Sequence, residues 1–231
     1  MELEGALLTA LQLGDSLFPS GAFAHSHGLE SLVADRRVRG AAELQALLRV
    51  QLLGRLAGAD LPALLAAHDA AARGDLEHVL RVDRALTAVK LAGEERAASR
   101  QVGRRLLAEA LRLAPGNPCL SHLGAEAERG AAHGNAAVAL GLASQALGLA
   151  AEPAALVCAY AFSAGLVSAA MRLARLGHGE AQAVLLQARP DMERSLDIAR
   201  TVPWDELAPF APQLDIASAR HERLGARMFA S

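Results

Sequence analysis

Hydrophobic positions recur along this chain at spacings of three and four, the pattern of helices that bury one face. Leu44, Leu47, Leu48 and Leu52 share a face over Glu43–Leu56, and Val102, Leu106, Ala110 and Leu113 share one over Glu94–Leu113. Punctuation falls between such runs. Asp60 followed by Pro62 predicts a cap and an early-turn proline. Gly74-Asp75 predicts a break and a fresh cap. Ala114–Cys119, reading APGNPC, is the strongest turn cluster. Helices are expected again from near Ser121, over Asn135–Leu149, from Pro153 and from Pro190. Thr201–Asp215, with Pro203, Pro209 and Pro212, is expected to be irregular, and a last helical or extended segment runs to Ser231. No alternating strand pattern of useful length, low-complexity tail or repeat is seen. The pattern predicts an all-α fold, a single-domain multi-helix bundle over residues 1–231, at least about 60% helical.

One stretch stands apart. Ala154–Met171, AALVCAYAFSAGLVSAAM, carries no charge and is rich in Ala, Gly and Ser. Its length is borderline for a membrane span. The small side chains and the lack of a comparable second span favour a buried central helix, enclosed on nearly all sides by neighbours or an oligomer interface. Arg172 and Arg175 then sit in its last turn, where cations suit the helix dipole, and Gly177 is expected as its C-terminal cap.

Composition fits that picture. The 231 residues are 52% hydrophobic, enough for a large core, and the formal net charge is -2, without the basic excess of a nucleic-acid binder. Two cysteines, Cys119 and Cys158, have no CxxC spacing and fit a reducing compartment. The N-terminus lacks the basic start and apolar run of a signal peptide, so a cytoplasmic location without membrane insertion is expected.

Candidate chemistry is sparse. A P-loop needs a lysine after a glycine-rich loop, and the one lysine, Lys90, sits in TAVKLAG. His25-Ser26-His27 offers two imidazoles, which on a helix would diverge by about 200°. His221-Glu222 lacks the second histidine of a zincin. A metal-dependent hydrolase using His25, His27 and His221 is the alternative reading. PSGAF is not a nucleophile elbow. Arg96, Arg100 and Arg104 form a basic stripe that reads first as a solvated face. In DSLFPSGAFAHSHGLE, Pro19 fixes φ, Gly21 lets the chain turn, Phe23 can drop into the core, and a helix starts beyond His25, so the stretch reads as a structural elbow. These features describe a helical protein without visible catalytic apparatus, an interaction protein more than an enzyme.

Three blocks carry a resemblance. LQLGDSLFPSGAFAHSHGLE, Leu11–Glu30, closely resembles the N-terminal signature of the UreF family of urease accessory proteins. YAFSAGLVSAAMRLARLGHGEAQ, Tyr160–Gln182, is similar to that family's small-residue helix ending in a basic residue and a Leu-Gly turn. LDIASARHERLGARMFAS, Leu214–Ser231, is similar to its ending. Ala22 stands where a second glycine is common, and Gly225 where the ending carries a tyrosine. The resemblance implies a non-catalytic, usually dimeric helical protein with no tightly bound cofactor and no metal site of its own. Such a protein binds a UreD/UreH-like accessory protein and recruits the GTPase UreG, modulating its activity. The assembly then loads nickel, handled by the complex, into apo-urease. The matching positions make Pro19, Gly21, Phe23, His25, Glu30, Arg172, Asp215, His221, Glu222 and Phe229 the partner-binding candidates. Leu214–Ser231 is expected to be a docking segment free of the bundle.

Overall fold

The computed structural model describes residues 3–21, 25–174, 176–221 and 229. In chain order the helices are α1 (Leu3–Gly14), α2 (Leu29–Ala34), α3 (Ala41–Val50), α4 (Leu61–Ala72), α5 (Leu76–Val89), α6 (Gly93–Leu113), α7 (Pro118–Glu128), α8 (Ala136–Ala146), α9 (Ala151–Leu173), α10 (His178–Ala199) and α11 (Pro212–His221), with a π-helical segment, Gln51–Asp60, joining α3 to α4. The described residues are 75% helical and contain no strand.

The centre of the bundle is a crossing of α4, α8 and α9, with α6 and α10 on its flanks. Small residues let these backbones meet. A Cβ at Gly141 of α8 would come within 2.6 Å of the Leu64 carbonyl of α4, and one at Gly103 of α6 would collide with the Gly134 carbonyl at the entry to α8. Both crossings therefore require glycine.

Two prolines bear on the expectations. Pro62 stands in the first turn of α4 as expected, but Asp60 makes no side-chain cap and is itself helical, so the helical path Ala41–Ala72 runs through it. In an α-helix the N–H of residue 62 would bond the carbonyl of residue 58, and proline has none. The Gly58 carbonyl instead accepts the N–H of Ala208 at 3.0 Å, and the Gly54 carbonyl accepts that of Phe210 at 2.9 Å. The proline-containing strap after α10 thus supplies the donor that Pro62 removes. A Cβ at Gly58 would approach the Ala208 carbonyl to 2.7 Å, so the strap can lie this close only over glycine. Pro190 likewise lies inside α10, which starts a dozen residues earlier, where the Glu180 carboxylate accepts the Gly177 N–H at 2.9 Å. Gly177 begins α10, and the residue that ends α9 is Ala174.

The neutral helix is α9, and it packs against α1, α2, α3, α4, α8 and α10. Its enclosure is less complete than expected, because Tyr160 is 46% exposed on a stripe that faces outward between α1 and α10. Ala41–Ala72 and Ala151–Leu173 are both long and apolar enough to cross a membrane, but 61% and 56% of their apolar windows are buried inside the bundle.

One buried carboxylate fixes the loop before α8. Asp83 of α5 is fully buried and accepts the backbone N–H groups of His133 (2.6 Å), Gly134 (3.1 Å) and Asn135 (2.8 Å), and the Asn135 side-chain amide at 2.9 Å. Replacing Asp83 by alanine would leave the buried Gly134 and Asn135 N–H groups and the half-buried His133 N–H without this acceptor, each costing about 1–3 kcal/mol, while the Asn135 amide keeps the residue 83 carbonyl and Thr87 Oγ1. The variant is expected to lose about 3 kcal/mol or more of unfolding free energy in urea titration, with the helical circular dichroism signal kept below the transition.

Candidate functional site

The elbow sets the geometry of the site. Gly21 adopts φ +71°, and a Cβ there would run into the Arg105 guanidinium of α6. His27 (φ 50°) and Gly28 (φ 84°) then place two successive residues in the left-handed region, which costs most at the non-glycine. The strain is held by neighbours: Gln51 Nε2 donates to the His27 carbonyl at 3.1 Å, and the His27 ring packs on Phe162 of α9 at 4.8 Å between centroids. A Cβ on Gly28 would meet Ser218 Oγ at 3.2 Å, so α11 can settle against the elbow.

Three distant stretches close on one another here. The N–H of Phe229 donates to Glu30 Oε2 of α2 at 3.2 Å, and the Arg172 guanidinium at the end of α9 lies 4.4 Å from the centre of the Phe229 ring. Phe229 is buried, as are Leu214 and Ala217 of α11. Helix α11 and Phe229 are therefore held on this chain's own bundle, contrary to the expectation of a segment free of it, and Leu214, Ala217 and Phe229 find cover there that a free segment would lack.

Beside the elbow lies a cavity of about 160 Å³ between α1, α6, α8, α9 and the π segment. Most of its wall is apolar, including Leu13, Leu56, Val102, Leu140 and Phe162, and one corner is charged. Arg55, only 5% exposed, uses one nitrogen, Nη2, for both Glu95 of α6 and Asp215 Oδ1 of α11, the latter at 3.1 Å. Lys90 Nζ bonds Asp60 Oδ1 at 2.8 Å and lies 3.5 Å from Glu95 Oε1. Burial alone would lower the Lys90 pKa, but Asp60 and Glu95 outweigh it and hold the ammonium above its usual 10.5. Burial, with the nearby charges of His25, Arg55 and Lys90, brings His27 down to about 3. Burial followed by Asp60 pushes the Cys158 thiol up to about 12, so it is an inert thiol at neutral pH.

The structure thus brings Glu30, Arg172 and Phe229 together, places buried His25 in the cavity wall and Asp215 on the ion network, and leaves Pro19 exposed at the outer edge of the elbow. Phe23, Glu222 and the His221 side chain lie outside the described residues. Among the described residues no three His, Cys, Asp or Glu side chains gather as a metal site requires, and the His25 and His27 rings are 6.2 Å apart. Arg55, Asp60, Lys90 and Glu95 were not singled out as site residues. Their signals were the lone lysine and an arginine set in the otherwise uncharged run QLLGRLAGA.

Two pH limits follow. His27 is neutral in the fold but takes a proton at its ordinary 6.5 when unfolded, so the unfolded state gains protons as pH falls from 6.5 towards about 3. Stability is expected to drop over that range, and His27→Gln to flatten this part of the profile in denaturant titrations. An acid limb of unchanged steepness would refute the assignment. The raised Lys90 pKa works on the other side: its contribution is complete below 10.5 and lost as pH climbs through the higher folded value.

The family model described as UreF matches residues 38–189. The urease accessory protein UreF of Trichodesmium erythraeum (strain IMS101) is 32% identical over 97% of this chain and 96% of its own length. The UreF proteins of Bacillus sp. (strain TB-90) and Yersinia enterocolitica are each 28% identical over 97% of this chain, covering 99% and 98% of theirs. Matching in these relatives from end to end, and in the family model over more than half its length, this helical chain belongs to the UreF family of urease accessory proteins.

Proposed function

We propose that this protein is a non-catalytic scaffold for nickel insertion into apo-urease, bridging a UreD/UreH-like accessory protein and a UreG-like GTPase whose activity it modulates. It works in the cytoplasm as a homodimer and holds no cofactor of its own. The observation that carries this reading is the clasp: Glu30, Arg172 and Phe229 come from three separate signature blocks and meet at one place in the bundle. The cations of the neighbouring network are saturated by carboxylates and the one nearby thiol is protonated, an arrangement suited to holding shape more than to turning over a substrate. The UreD/UreH-like partner docks at the tail and elbow, where Pro19 and Arg172 are exposed and Glu30 and Phe229 lie buried beside Arg172; Gly21, Phe23, His25, Asp215, His221 and Glu222 remain candidates by the family motif.

The dimer rests on a second surface. Leu3, Leu7, Leu8 and Leu11 of α1, Tyr160 of α9 and Leu186 of α10 are all more than half or nearly half exposed. Between α1, α9 and α10 runs a groove of about 780 Å³ lined by Leu11, Leu156, Tyr160, Met171 and Leu185. Exposed apolar area of this kind marks an association surface.

Co-purification with UreD/UreH-like and UreG-like proteins, followed by urease activation with nickel, tests the scaffold. Phe229→Ala and Arg172→Ala are expected to weaken capture of the UreD/UreH-like protein and to reduce urease activation several-fold. Full activation by both variants would overturn the role of the clasp. Deleting residues 214–231 is expected to lower the melting temperature as well, because buried Leu214, Ala217 and Phe229 go with it. Leu7→Glu with Leu11→Glu is expected to halve the mass measured by light scattering and to leave the helical signal intact.

A further inference from the structure

The cavity beside the elbow has no part in the scaffold reading, and its origin lies in where small side chains fall. Ala98 of α6, Ala136 and Ala137 of α8, and Ala161 and Gly165 of α9 all line it. Larger side chains close it off: Leu56 of the π segment, Leu106 of α6, Leu140 of α8 and Phe162 of α9. The helices cannot simply move together to fill the space. Helix α8 already meets the α4 backbone at Gly141, and the backbone at its entry meets α6 at Gly103. Interiors rarely keep a void much larger than a water molecule. This one holds about 160 Å³, the size of an engineered apolar cavity, about 150 Å³, that takes up benzene or xenon.

The polar part of the wall says which molecules fit. Its charged members are already paired, Arg55 with Glu95 and Asp215, and Lys90 with Asp60 and Glu95. Ser99 Oγ donates to Asn135 Oδ1 at 3.0 Å and accepts the Ala136 N–H at 3.2 Å. Ser20 and His25 have partners of their own. His27 and the Cys158 thiol are uncharged at neutral pH. A charged ligand would therefore enter without a counter-ion and lose its hydration, which is costly. An apolar ligand would instead gain contact with walls that now face empty space.

We propose that this cavity is a binding site for a compact, neutral, apolar molecule of about the size of a benzene ring, held against Leu56, Leu106, Leu140 and Phe162. Val157 lines both the cavity and the outer groove between α1, α9 and α10, so the approach from solvent runs past it. Occupancy fills a void that the fold cannot close, and it stabilises the folded chain by mass action. No partner protein is involved, so the inference stands apart from the scaffold reading.

The test titrates the full-length protein with benzene, and with benzoate as its charged counterpart, while the melting temperature is followed by calorimetry. Benzene is expected to raise the melting temperature saturably, by several degrees, and benzoate to leave it unchanged. Ala161→Leu and, separately, Ala98→Leu fill the space from α9 and from α6. Each is expected to keep the helical circular dichroism signal and to weaken the benzene response at least tenfold. Crystals of the wild-type protein under xenon are expected to hold the gas between Leu106, Leu140 and Phe162. The inference is overturned if the wild-type response does not saturate, if benzoate binds as strongly as benzene, or if a folded variant responds to benzene undiminished. Should neither variant fold, the xenon position decides: gas between those three side chains supports the site, and gas elsewhere or nowhere overturns it. Each of these outcomes leaves the scaffold reading untouched, because no partner enters the experiment.

Discussion

A buried guanidinium must be matched by carboxylates or it costs several kcal/mol, and Arg55 imposes that demand on this fold. It sits between Gly54 and Gly58 in the π segment, at the one place where the long helix of α3 and α4 leaves the α-helical register. To reach Arg55, α6 brings Glu95 and α11 brings Asp215. To bring α11 there, the strap must cross the π segment, and it does so on the two glycine carbonyls. The irregular helix, the missing N–H of Pro62, the path of the strap and the seat of the tail are thus parts of one arrangement.

The helices were legible in the sequence because their apolar spacing is strong, and the central neutral helix because its composition allows close neighbours. Pro62 is legible as an early-turn proline of α4, but the continuity of the helix through Asp60 and the place of Pro190 inside α10 are not. A proline predicts a helix start only if nothing else can satisfy the carbonyl it abandons. At Gly58 the donor comes from Ala208, about 150 residues away, which no local pattern records. Pro190 is carried inside α10 because that helix is already capped at Gly177 and Glu180.

The candidate site was legible as parts and not as a place. Glu30, Arg172 and Phe229 each stood out within a block of sequence, but the hydrogen bond between Glu30 and Phe229 spans 199 residues. Spacing along the chain carries no information about such a contact. The tail was expected to be free because prolines precede it. Those prolines instead stiffen the strap that delivers it, and Leu214, Ala217 and Phe229 then find burial on the bundle. The ion network is not legible in the sequence because its members lie on different elements, and in an arginine-rich chain a single arginine says little.

The charge count bears on how the tail is held. With α11 seated, two cations face three carboxylates among the described residues. Without it, Arg55 keeps Glu95, Lys90 keeps Asp60 and Glu95, and two cations face two carboxylates. Releasing the tail would therefore strand no buried cation, the usual penalty for breaking an interior ion pair. The seat of the tail is then mainly apolar, resting on Leu214, Ala217 and Phe229, each full burial of a large side chain being worth about 1.5–3 kcal/mol.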